Sequence, residues 1–191
     1  MNKAIRWRII SLQAMLVIIL AASSGFLFYE GNFVTSMVRD QLVAQKISFP
    51  PASTITAGGA LDPAEFPAEI RNYAGQPVDN GDKARVYAND FINKHLQGVA
   101  GGQTYAQVST LAQADPTNTT LAGQVATLFK GETLRSMLLN AYGWWTLGVY
   151  TTYAGIGLMI AALAVLGALV FEFTTVGRKQ ETIKVVQKIA A

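Results

Sequence analysis

Residues 148–171, GVYTTYAGIGLMIAALAVLGALVF, run for 24 positions without one acidic or basic side chain. At ~1.5 Å rise per helical residue such a run outreaches the ~30 Å hydrocarbon core of a bilayer. A chain of 191 residues has little room to hide a helix like this inside a soluble core. The run therefore reads as a transmembrane helix, and it sets the class of the protein. Composition agrees: 51% of residues are hydrophobic, 14% are charged, and the mean hydropathy is +0.28.

A second run lies at the other end. Residues 9–28, IISLQAMLVIILAASSGFLF, are again free of charge over 20 positions. They follow an eight-residue start, MNKAIRWR, with three basic groups and no acid. A signal-peptide core is the competing reading, but such cores run only ~7–15 residues. Ala22-Ser23-Ser24 is a loose match to a cleavage site. An uncleaved first span is the better reading.

Two spans leave both ends on one side, and charge says which. The tail 172–191 carries Arg178, Lys179, Lys184 and Lys188 against Glu172 and Glu181. The segment between the spans holds eight basic and ten acidic residues. Both flanks are basic and the middle is slightly acidic. The expected layout is a cytoplasmic start at 1–8, spans at 9–28 and 148–171, an extracytoplasmic domain at 29–147, and a cytoplasmic basic tail at 172–191. The expected location is the cytoplasmic (inner) membrane, crossed twice. The pI near 9.2 then reports orientation, with the lipid bilayer and its anionic headgroups as nearest partner and no nucleic acid. In the tail Ile183, Val186 and Ile189 share a helical face beside lysines, which suits either a helix on the inner membrane surface or a solvated end.

The outer segment reads as helices around a proline-rich loop, making the fold class all-α. Val34, Val38 and Leu42 extend span one as helix until the Ser-Phe-Pro-Pro break at 48–51. Residues 47–81 hold five of the six prolines and form mostly loop. One short helix is expected there, from an Asp62 cap with Glu65 three positions on, to a stop at Gly75. Residues 82–98 predict the clearest soluble helix, with Asp82 as cap and Ala84, Tyr87, Ala88, Phe91, Ile92 and Leu96 as its apolar stripe. Thr104 and Gln107 predict a capping box for the next helix, which Asp115-Pro116 ends. A long helix resumes near Thr119 and leads into span two, with Gly131 or Gly143 as candidate bends.

Catalytic constellations are missing from the sequence. There is no cysteine, so disulfides, thiolate sites and thiol nucleophiles are excluded. One histidine, His95, does not make a zinc or haem-type site by itself. The carboxylates Asp62, Glu65, Glu69, Asp79, Asp82 and Asp90 follow no EF-hand spacing and read as a solvated surface. No serine sits in a nucleophile elbow, and there is no Walker A or Rossmann fingerprint. The chain reads as a non-enzyme needing no metal and no cofactor.

Small residues mark a helix-packing interface. Gly157, Ala161, Ala164 and Ala168 are spaced 4, 3, 4 in span two, and Ala14, Ala21 and Gly25 keep a similar register in span one. Small side chains at such steps let helix backbones approach. The partner face is either the other span of the same chain or another subunit, including a second copy. Trp7, Trp144, Trp145 and Tyr150 fit aromatic belts at the membrane interfaces.

Four short motifs carry a resemblance: Ala-x-Lys-Ile at 44–47, Gly-x-Pro-Val at 75–78, Ile-Asn-Lys-His at 92–95 and Gly-Gly-x-Thr-Tyr at 101–105. With both flanking spans, the chain resembles a group of small bacterial two-span membrane proteins of uncharacterised function. The proline-rich stretch at 50–70 and the Trp144-Trp145 pair depart from that pattern. Members sometimes bear the label aromatic ring-opening dioxygenase. Extradiol ring cleavage on iron needs two histidines and a carboxylate, and this chain has a single histidine. The resemblance implies a topology and brings no site residues.

Two roles follow as expectations. The first is an accessory or structural subunit packing laterally on a larger membrane complex, respiratory, photosynthetic or oxygenase. The second is a stand-alone envelope module that binds or senses a lipid or small ligand through 29–147.

Overall fold

The computed structural model describes the backbone over residues 3–189 and side chains over 4–174. It is all-helical, with no strand among the described residues. Two helices are long and apolar enough to cross a membrane: α1 (Lys3–Ala44) and α6 (Thr119–Ile189). Between them lie α2 (Ala68–Asn72), α3 (Gly81–Val86), α4 (Asn93–Val99) and α5 (Tyr105–Ala114). A π-helical stretch at Tyr87–Ile92 joins α3 to α4, so the expected single helix is present with an over-wide middle. The expected surface helix of the tail depends on side chains outside the described residues.

The chain divides into two compact units. One comprises residues 1–32 and 150–191, the other residues 33–149.

In the first unit α1 and α6 pack along a seam repeating every seven residues. Ile10, Ser24 and Gly31 are buried on α1 with Val17 half-buried between them. On α6 Gly155 and Ala162 are buried and Leu158, Val165 and Leu169 half-buried. A seven-residue period is the spacing of knobs-into-holes helix pairs. The Ser24 hydroxyl donates to the Gly155 carbonyl at 2.8 Å, a buried bond tying the two helices together.

The second unit has a core of its own. Val38 and Leu42 from α1, Leu138 from α6, and Phe49, Leu61, Phe66, Ile70 and Val78 from the loop region gather around Ala84, Val86 and Ala88. Leu61, Ile70, Val78 and Val86 are at most 1% exposed, so the loop is fastened by its apolar side chains. Its backbone adds one antiparallel bridge, Ser48 to Pro77, with the Val78 amide donating to the Ile47 carbonyl. A smaller cluster of Leu96, Val108 and Leu128 holds α4, α5 and α6 together.

Two caps differ from expectation. Asn80 caps α3, its side chain accepting from the Lys83 amide at 2.9 Å, and Asp82 falls inside the first turn. In the run Asp-Asn-Gly-Asp the Asn takes the extended conformation a cap needs. Asp62 caps no helix, and the short helix expected from it begins only at Ala68. Its carboxylate accepts from the amides of Gly58 and Ala64, closing a turn, and the helix is the shorter α2. Those two amides hold the Asp62 carboxyl below its ordinary range. The Thr104–Gln107 capping box forms as expected. Neither Gly131 nor Gly143 breaks α6, and the Asn118 side chain caps its start by accepting from the Leu121 amide.

Candidate functional site

Among the described residues a concave site lies in the second unit, where the last turns of α1 face α6. Met37, Val38, Gln41, Leu42 and Gln45 recur at helical spacing on one wall. Leu134, Met137, Leu138, Ala141 and Trp144 do the same on the other, with Asn140 beside them. Ile47, just past the end of α1, closes one side. The cavity is ≈ 420 Å³. Its floor is the buried core itself, Val38, Leu42 and Leu138. Its rim is apolar and open: Leu134 is 52% exposed, Met137 64% and Trp144 49%. The only hydrogen-bonding side chains in the lining besides the Trp144 indole are three amides, Gln41, Gln45 and Asn140. No acid, base or histidine lines it.

Lys46 follows Gln45 in a left-handed backbone conformation, φ 54°. The chain reverses there, and the Lys46 amide donates to the Val43 carbonyl. This reversal turns Ile47 back toward the groove and sends Phe49 into the core against the rings of Tyr73 and Tyr87.

A charged cluster surrounds the π-helical stretch in the same unit. Arg85 pairs with Glu69, and Arg135 hydrogen-bonds Asn89 at 3.3 Å and Glu132 at 3.3 Å. Burial and the nearby Glu69 push the Asp90 carboxyl above its ordinary range, while Arg85 pulls the other way. His95 lies within an aromatic group, its ring 4.4 Å from that of Phe91 and 5.7 Å from that of Phe66. Its Nδ1–H donates to the Phe91 carbonyl at 2.7 Å. Among the described residues no three His, Asp or Glu side chains gather as a metal site.

The small-residue register divides between faces. Ala14, Ala21 and Ala161 are half-buried, whereas Gly25, Gly157, Ala164 and Ala168 are exposed. The close approach passes through Gly155, where an added Cβ would sit 3.3 Å from Phe28 Cδ2 and from the Ser24 carbonyl oxygen. Beside Gly25 and Gly157 there is open space. Trp7, Trp144 and Tyr150 are exposed, and Trp145 is half-buried against the core.

No family model, curated protein or solved structure matches this chain.

Proposed function

We propose that this chain is a non-enzymatic integral membrane subunit of the cytoplasmic membrane. It crosses twice with both ends inside and packs laterally on a larger complex. One observation carries the reading. The face of α6 that holds Gly157, Ala164 and Ala168 is exposed, because the seam with α1 uses the other face through Gly155 and Ala162. Small side chains on a lipid-facing stripe leave backbone open to a further helix, and packing there supplies association that lipid tails do not oppose. Low burial of both apolar helices agrees, since only 11% of each most apolar window is buried. The domain between the spans, on the outer side of the membrane, braces the complex.

Blue-native separation of gently solubilised membranes tests this. The chain, 20.5 kDa, is expected in a band well above its own detergent-bound monomer. Ala164→Leu, which covers the stripe without touching the seam, is expected to raise the dissociated fraction about tenfold, or about 1.4 kcal/mol. Migration only as a free monomer contradicts the proposal.

The second reading, an envelope module that binds a lipid or small ligand, draws on the apolar cavity between residues 37–47 and 134–144.

A further inference from the structure

We propose that this cavity binds a neutral, flat, carbonyl-bearing lipid of the isoprenoid quinone class. The site goes beyond the subunit reading and stands whether the chain works alone or inside an assembly.

Size comes first. At ≈ 420 Å³ the cavity lies within the ~300–1,000 Å³ range of small-molecule sites and admits a substituted ring with the start of a tail. Charge comes next. With no ionisable side chain in the lining, a phosphate or ammonium headgroup would lose water there and find no opposite charge. That disfavours phospholipids and nucleotides and selects an uncharged ligand.

The polar groups present are amides. Gln41, Gln45 and Asn140 each offer an NH₂ that donates, which is what a ring carbonyl oxygen accepts. They come from both walls, Gln41 from α1, Gln45 from the turn just after it and Asn140 from α6, as a head with two well-separated carbonyls requires. The remaining contacts suit an aromatic-like ring. Met37 and Met137 bring polarisable sulfur, and Trp144 brings an indole face. Position is the last point. The two walls continue the helices that carry the uncharged runs: Met37 follows the first run by nine residues, ~13 Å along the helix, and Trp144 precedes the second by four, ~6 Å. A lipid brings apolar surface that gains by covering this rim, whereas a polar soluble metabolite would lose its own hydration there.

The test uses the full chain in lipid nanodiscs, titrated with a short-tailed ubiquinone analogue and followed by quenching of tryptophan fluorescence. Saturable quenching is expected above the linear background of a probe merely dissolved in lipid. Ala141→Phe, which fills the cavity from the α6 wall, is expected to weaken it at least tenfold. Met137→Glu, at an exposed rim position, is expected to weaken it similarly by placing a charge where the ring lies. It keeps the test decisive if the Phe variant fails to fold by circular dichroism. A linear response alone, a saturable response unchanged in the folded variants, or equal competition by a diacylglycerol lacking the ring overturns the proposal. The last outcome would mark the cavity as a general apolar groove, and the first is what a groove built for a partner's helix would give.

Discussion

Gly81→Ala lowers the stability of the 33–149 unit by about 3 kcal/mol, toward the upper end of what overpacking costs. Gly81 opens α3 and is buried. A Cβ built on it falls 2.2 Å from Trp145 Cβ and 2.4 Å from Trp145 Cγ. Those atoms are the root of a large side chain, so no rotation about χ1 moves the Cβ away. The α3 start and α6 must separate, and Ala84, three residues on, is fully buried in the same core. The strain therefore spreads into the cluster that fastens the proline-rich loop. Gly123→Ala is the matched control. It sits inside α6 with nothing within 4 Å, and Ala there stabilises the helix by about 0.5–1 kcal/mol. Denaturation of the purified protein in mild detergent, followed at 222 nm, reads both variants. Equal midpoints for the two would show that the α3–Trp145 contact is not made.

Gly155→Leu separates the two apolar helices. An added Cβ already meets Phe28 at 3.3 Å and Leu27 at 3.4 Å, and three further carbons have no space between the helices. The wedge also pulls the Gly155 carbonyl away from the Ser24 hydroxyl, leaving a buried donor to find another acceptor in its own helix. Together these cost the pair about 2–3 kcal/mol. Gly157→Leu, two residues on but exposed beside open space, leaves the pair intact. Double electron–electron resonance between spin labels at residues 20 and 159 separates the outcomes. A broadened, longer distance is expected for Gly155→Leu and an unchanged one for Gly157→Leu. The reverse pattern would place the seam on the other face of α6.

The contrast between those two glycines shows what could be read before the structure. Apolar runs, proline breaks and the Thr104–Gln107 box are local signals, and each appeared where its residues placed it. The seam is not local. In span two the small-residue 4-3-4 register starts from Gly157, yet the facing Ser24 and Phe28 set the seam at Gly155. The cap of α3 failed by a smaller margin, because Asn80 and Asp82 are both good caps and backbone conformation chooses Asn80. The cavity was half legible. Val38 and Leu42 share one helical face by their spacing, and Leu134 and Leu138 share another. That the two faces meet, with three amides and no charge between them, depends on contacts nearly a hundred residues apart in sequence. Nothing in the periodicity of either stretch encodes that pairing.

The central claim is that both apolar helices cross the membrane and return the ends of the chain to the same, inner side. Because the chain has no cysteine, a single introduced thiol reports its own position. Intact cells bearing Asn2→Cys, Ala57→Cys or Ala190→Cys, treated with a membrane-impermeant maleimide, give the most direct reading. Ala57, exposed in the loop of the 33–149 unit, is expected to label in intact cells. The two terminal thiols are expected to label only after the membrane is opened. Labelling of one end but not the other in intact cells, or protection of Ala57→Cys with exposure of both ends, would contradict the account.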